Sequence, residues 1–304
     1  MNNMNAENNE QPLVSIAIAL YNKEDSIYRT LQSIQNQTYK NFECIIVDDH
    51  STDNGPNIVY QCFCKNDKRF KLTMNTTEEQ YVDAHNQSYE MCSGKYLFRV
   101  DADDIFFPDY LEFNIKYLDE HPEYDAISSY SYFKQKQENG LFENDDNISL
   151  QVAFSDNEIN WFNKCPAHSM LGNTIIWSNP TSVIRKKFFD EHKPKYTFYA
   201  FGDYFFWYNV LANGGRLHFV KEIHSCRFDY NSKSNNKVCN DDSFYFLTPR
   251  MKFVLDTYKY KALEHIEYTD GINKDDMQKI IQKYKDEAND AFELMTKVEN
   301  SYND

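Results

Sequence analysis

The run Lys95-Tyr96-Leu97-Phe98-Arg99-Val100 is largely apolar and aromatic, and it stops abruptly on Asp101, Asp103 and Asp104. A segment this short, rich in aromatic and β-branched residues and preceded by the turn Ser93-Gly94, predicts a buried strand rather than a helix. In open α/β sheets ligands gather outside the carboxyl ends of the strands, so the three carboxylates mark an expected working edge. Carboxylates packed this tightly repel one another unless a cation sits among them, and Asp-x-Asp offers the oxygen ligands that Mg2+ and Mn2+ prefer. A solvated loop, or a helix cap at Asp104 ahead of Pro108, accounts for the same residues without a metal. An EF-hand does not, because the spacing lacks a third ligand and the turn glycine. A second stretch of the same design weighs toward a site: residues 42–47 form another apolar run, which ends on Asp48-Asp49-His50-Ser51. Two strands ending in acid pairs predict one cleft.

The pattern around these strands is that of an α/β sheet. Residues 13–20 read as the first strand, broken by Tyr21-Asn22, with Asn22 expected to cap a helix whose Ile27, Leu31 and Ile34 make one stripe. Strand, helix and the 42–47 strand make a βαβ unit. Its first turn, residues 21–26, contains no glycine, so a Gly-x-Gly-x-x-Gly dinucleotide site is excluded, and no Walker motif occurs anywhere. Further along, 58–63 and 78–92 read as helices, 70–74 as a short strand, and Pro108 opens a helix carrying Leu111, Ile115 and Leu118. Residues 126–133 read as a strand and 138–160 as a long loop. Strands at 174–177 and 181–184 bracket the turn 178–180, and an aromatic helix through 212 closes on Asn213-Gly214-Gly215. Beyond Asp242 the chain reads as Lys/Glu/Asp-rich helix, with Ile280, Ile281, Tyr284, Ala288 and Phe292 approximating one face.

At 304 residues the chain buries a substantial core without staples, and its seven cysteines are odd in number and scattered. The expectation is free thiols in a reducing cytoplasm. A formal net charge of −15 argues against nucleic acid and anionic lipid as partners. It leaves room for a diphosphate, provided a divalent cation separates the two sets of negative charge. No stretch approaches the ~20 apolar residues of a membrane span, and residues 1–11 read as a disordered tail.

Several stretches together resemble the inverting nucleotide-sugar glycosyltransferases of family 2. They are the opening strand through Tyr21-Asn22-Lys23-Glu24, the segment Ser33-Ile34-Gln35-Asn36-Gln37-Thr38-Tyr39, the acid pair Asp48-Asp49 followed by Ser51 and Asp53, the Asp101-Ala102-Asp103-Asp104 motif, and Gly202-Asp203 before an aromatic run. The resemblance covers about residues 12–234. It implies an α/β GT-A (Rossmann-like) fold with a mostly parallel central sheet: a nucleotide-binding half over 12–133, an acceptor half over 134–238 and a C-terminal helical extension over 239–304. It further implies that Asp48 and Asp49, with Tyr21 and Glu24, hold the uridine end of a nucleotide-sugar donor. Asp101 and Asp104 would help place ribose and metal, with Asp103 the direct ligand of Mn2+ or Mg2+, and Asp203 would be the general base. The reaction implied is transfer of a hexose from a UDP-sugar to a hydroxyl of a surface glycan or glycolipid.

Three departures stand out. Where the family has Ala-Arg-Asn, this chain has Ala84-His85-Asn86, which removes a cation from the donor side and leaves His85 as a helix-surface residue or a phosphate contact. Gly202 precedes Asp203 where an acid is common. Residues 226–232 resemble a Tyr-Arg-x-His segment with Asp229 in place of the His, so Arg227 is expected at the diphosphate or in a structural salt bridge. Asp203 also suits a helix cap. Trp161, Trp177 and Trp207 are acceptor-side candidates. The competing expectations are a non-catalytic nucleotide-sugar-binding or partner-binding homologue and a sugar-phosphate nucleotidyltransferase, the latter disfavoured by a first turn lacking glycine and arginine. The C-terminal helices are expected to clamp the acceptor, to form a homo-oligomer, or to contact membrane-bound assembly enzymes at the inner face of the membrane.

Overall fold

The first apolar run forms β1 (Val14–Leu20), and the helix after it is α1 (Ile27–Gln35), with Ile27, Leu31 and Ile34 buried as their spacing requires. A computed structural model of the chain describes residues 11–77, 80–135, 149–150, 155–170, 182–195, 202–229, 248–266 and 273–301. After α1 come β2 (Phe42–Asp48), α2 (Gly55–Val59), a π-helical turn at Tyr60–Cys64, β3 (Phe70–Met74), α3 (Gln80–Glu90) and β4 (Tyr96–Asp101). Then follow β5 (Ile105–Phe106), α4 (Tyr110–Glu120), β6 (Ala126–Gln135), β7 (Ser149–Leu150), α5 (Asp156–Lys164) and α6 (Pro166–Met170). The chain continues through β8 (Ser182–Arg185), α7 (Lys186–His192), α8 (Gly202–Ala212), β9 (Leu217–Asp229), α9 (Pro249–Glu264) and α10 (Lys274–Ser301).

The described strands join in the order β3-β2-β1-β4-β8-β6-β9-β5, with β7 on β6. From β3 to β4 the pairing is parallel; β8 is antiparallel to β4 and β6, and β6 and β9 are parallel again. Parallel strands finish on one edge, and the register shows which residues share it. Leu20 lies opposite Asp48, and Ala19 opposite Asp101. With neighbouring strands about 4.8 Å apart, the Asp48 and Asp101 backbones stand roughly 10 Å apart across β1. The two acid ends therefore do share one edge.

Both faces of the parallel half are covered, which is why its strands read as nearly unbroken apolar runs. Ile16, Ile18, Phe98 and Val100 pack on one face with Leu31, Ile34, Leu111 and Leu118. On the other, Ala17, Val47 and Leu97 join a core with Tyr89, Phe205 and Tyr208. Within β4 the one charged residue between these apolar positions is Arg99, and it too is buried.

At the opposite end of the strands a buried carboxylate ties three segments together. Glu43 accepts from the Ser15 hydroxyl at 2.7 Å, from the Ser93 backbone at 2.7 Å and from Lys71 at 2.8 Å. Beside it, Gly94 passes so close to β1 that an added Cβ would meet the Leu13 carbonyl oxygen at 2.6 Å. Burial alone would raise the Glu43 pKa, but the bonds from Lys71, Ser93 and Ser15 outweigh it and hold it at about 2, against an ordinary 4.5. A carboxyl depressed in the fold contributes stability above its unfolded value and loses it as pH falls through the folded value. We expect Glu43→Gln to lower the unfolding free energy by about 3 kcal/mol at pH 7, with the difference from wild type closing between pH 4.5 and about 2. Urea unfolding across that range measures it, and a loss independent of pH would refute the assignment.

Some local expectations change. Residues 156–160, expected as loop, belong to α5, which starts on a reciprocal capping box between Ser155 and Glu158. The acidic composition masked a helix whose buried residues are only Ile159 and Phe162. The strand expected at 174–177, with Trp177, lies outside the described residues. In the C-terminal extension, Phe253 meets Phe292 and Glu264 pairs with Lys285, a pattern that an antiparallel pair of helices explains. Phe292, expected on the buried face, is 49% exposed; Met277, Ile281, Ala288 and Ala291 are the buried residues there. α9 packs on α8, with Leu255 and Leu263 in the same core as Tyr204 and Tyr208 and an Asn209–Tyr258 hydrogen bond of 3.1 Å.

Candidate active site

Two turns at the carboxyl edge are interlocked. Asn22 does not cap α1; that place belongs to Ser26. Instead Asn22 adopts a left-handed backbone, φ 49°, and its side-chain oxygen accepts from the Thr52 amide at 2.8 Å. The Glu24 amide donates to Asp53, and the Glu24 carboxylate accepts from the Asn54 amide, both at 2.9 Å. Glu24 thus clasps the β1–α1 turn to the β2–α2 turn, while Tyr21 stands half exposed at the lip.

The acid end of β4 does contain cations, and they are the chain's own. Lys23, from the first turn, pairs with Asp103. Burial alone would lower the Lys23 pKa, but the charges of Asp103, Asp101 and Asp104 outweigh burial and raise it. Asp101 is held by Arg99 at 2.9 Å. Asp104 is turned inward and only 1% exposed. Burial, reinforced by the Asp104 charge, pushes the nearby Tyr110 phenol well above its ordinary value.

Arg99 also reaches Asp203. Its Nη1 donates to the Asp203 carboxylate at 2.5 Å, across 104 positions of sequence. Asp203 is in the first turn of α8, and it is the one residue of that helix that is not buried. Behind the guanidinium sits His85 of α3, its ring nitrogens 3.3 and 3.4 Å from Arg99. His85 is 1% exposed, so it is neither a helix-surface histidine nor an exposed phosphate contact. Burial first, and then the Arg99 charge, push its pKa well below the ordinary value and leave the ring neutral. The cation expected to be missing beside position 85 is supplied from β4.

At the end of β2, Asp48 and Asp49 are 3% and 4% exposed. Asp49 accepts from the Asn75 side chain at 2.9 Å. One Asp48 oxygen accepts from the Ser51 amide at 3.2 Å, and the other is buried without a hydrogen-bond donor. Arg227 lies in β9, next to Cys226, whose backbone pairs with Ile105 of β5 just beyond Asp104. That register brings the Arg227 backbone near the acid edge; its side chain lies outside the described residues. Trp207 is 3% exposed and belongs to the core rather than to an acceptor surface. Sequence reasoning missed Lys23, Asn75 and the role of Arg99, and only Arg99 left a signal, as a charge inside an apolar strand.

An α/β sheet whose parallel half ends in paired aspartates, with a third acid brought over it on a helix, is the GT-A architecture of enzymes that transfer sugars from nucleotide donors. The fold matches S. aureus TarS 1–349 in complex with UDP-GlcNAc, with a TM-score of 0.62 at 16% identity, covering 90% of this chain and 72% of that one. Residues 15–192 match the model of glycosyl transferase family 2, and the chain belongs to that family. An uncharacterized glycosyltransferase of Haemophilus influenzae is 30% identical over 230 residues, 74% of this chain and 68% of that protein. The Escherichia coli UDP-Glc:alpha-D-GlcNAc-diphosphoundecaprenol beta-1,3-glucosyltransferase WfaP is 29% identical over 202 residues, 66% of this chain and 71% of its own length. Among the described residues no helix is long and apolar enough to cross a membrane.

Proposed function

We propose that this glycosyltransferase moves a hexose from a UDP-sugar to a hydroxyl of a glycolipid or surface glycan, with inversion. The observation that carries the reading is the meeting of Asp203 and Asp101 on one guanidinium, which joins an acceptor-side carboxylate to the donor-side edge. Asp203 takes the proton of the acceptor hydroxyl as its oxygen bonds to sugar C1. The C1–oxygen bond to the diphosphate breaks on the opposite face, and its electron pair leaves on the diphosphate oxygen.

Among the described residues no three metal-ligating side chains cluster. Mg2+ usually needs only one or two carboxylates, with substrate phosphates completing its shell. Asp103 is the residue suited to hold it: both aspartates carry an ion pair, but the partner of Asp103 is the part-exposed Lys23, whereas Asp101 is held by the buried Arg99. When bound, the ion would neutralise charge on the leaving diphosphate. Lys23, released from Asp103, would lie within reach of the same phosphates.

A buried carboxylate oxygen without a donor is a place for a ligand N–H, and Asp48 offers one. Uracil, thymine, guanine and cytosine each carry an N–H able to donate to it, so this oxygen alone does not choose among UDP, dTDP, GDP and CDP. The name of WfaP supports the uridine donor and a lipid-linked acceptor. Thermal unfolding with UDP, GDP, dTDP and CDP, each with and without Mn2+, tests the reading. A nucleotide at 100 times its Kd adds about 2.7 kcal/mol, a shift of roughly 5 °C for a chain of this size. We expect that shift with UDP and Mn2+, and a smaller one in Asp48→Asn. No shift with any nucleotide would favour a non-catalytic, partner-binding protein.

A further inference from the structure

Arg99 is a full positive charge in the interior of a sheet, 7% exposed. Burying an ion costs several kcal/mol unless close partners compensate, and an apolar residue of similar volume often does as well for stability alone. The partners here are specific. One arm of the fork meets Asp203 of α8 and the other meets Asp101 of β4, at 2.5 and 2.9 Å. His85 closes the back of the guanidinium, and its own ring is neutral, so it brings no competing charge. α8 is in turn fixed by α9, so the geometry extends from the C-terminal helices to the strand edge.

We propose that Arg99 is a positioning residue for transfer, clamping the Asp203 carboxylate to the Asp101 end of β4, with His85 as the wedge that holds the fork in register. The inference rests on the reading of Asp203 as the base. Attack needs reacting groups placed within a few tenths of an ångström, and misplacement by about 1 Å can cost a hundredfold. A planar fork fixes two carboxylates at once, which the point charge of a lysine does not.

The test compares wild type, Arg99→Lys, His85→Leu, Asp203→Asn and the Arg99→Lys/Asp203→Asn double variant. The readout is UDP released from UDP-glucose and from UDP-N-acetylglucosamine with Mn2+, using water or a short-chain N-acetylglucosaminyl diphospholipid as acceptor. Arg99→Lys is expected to lower kcat at least about tenfold with the donor KM changed less than about threefold. His85→Leu, which leaves the fork intact, is expected to lower kcat in the same way but by less, and it stands in if Arg99→Lys does not fold. In the Asp203→Asn background Arg99→Lys should add no further loss, because the two act as a unit.

Normal kcat in both Arg99→Lys and His85→Leu would overturn the proposal, as would a rise confined to KM, which would make Arg99 a donor contact. Additive losses in the double variant would overturn it too. Normal turnover in Asp203→Asn would instead overturn the base assignment beneath it, and no UDP release by wild type from either donor would overturn the donor reading.

Discussion

Asp203→Asn is expected to lower kcat for transfer by about 10²–10⁴-fold, the usual range for removing a general base, while UDP binding with Mn2+ stays within about threefold of wild type. The amide keeps the size of the carboxylate and one acceptor oxygen for Arg99, so α8 stays seated. What it loses is the ability to accept the hydroxyl proton. Arg99 then loses one of its counter-charges, which gives a second, independent signature. A buried cation left short of a partner destabilises the fold, and we expect the unfolding free energy to fall by about 1–3 kcal/mol. Calorimetric titration of UDP, with turnover assayed on the same preparation, separates the two effects. Unimpaired turnover would assign the base elsewhere, and lost UDP binding would make Asp203 part of the donor pocket.

Asp103→Ala should have an effect nearly as large, through a different quantity. If Asp103 carries the divalent ion, the variant loses several kcal/mol of charge stabilisation on the diphosphate, about a hundredfold or more in metal-supported donor binding. Without metal, UDP affinity should not fall, since the proposed nucleoside contacts at Asp48 and Asp49 are untouched and Lys23 is freed toward the phosphates. The Lys23–Asp103 pair adds a condition: free Mn2+ must displace the ammonium and should bind weakly until nucleotide arrives. Mn2+ paramagnetic resonance with and without UDP measures both. Equal enhancement of UDP binding by Mn2+ in wild type and Asp103→Ala would remove Asp103 from the metal site.

Much of the first half was legible because it rests on local pattern. Strands buried on both faces are apolar throughout, and the parallel pairing that a βαβ unit requires brings the Asp48 and Asp101 ends to one edge before any contact is known. Where the local signal is thin, the reading fails. α5 buries two residues only, and the 105–106 strand is too short to have a period. Asn22 shows a different failure: an N-cap residue was present, but its side chain bonds a turn 30 residues away.

The order of the long strands and helices in the first half, the acid edge and the family were determined by the sequence alone, since periodicity and short motifs act over a few residues. Partnership among the charges was decided by tertiary structure. The need for a cation among the three aspartates was readable from their repulsion, but that Lys23 and Arg99 answer it was not. Nothing local distinguishes His85 on a helix surface from His85 sealed behind a guanidinium. Asp203 meets Arg99 only because α8, packed against α9, returns its first turn to the end of β4. Coulomb energy depends on separation in space and on burial, and across 104 residues the packed chain alone sets both.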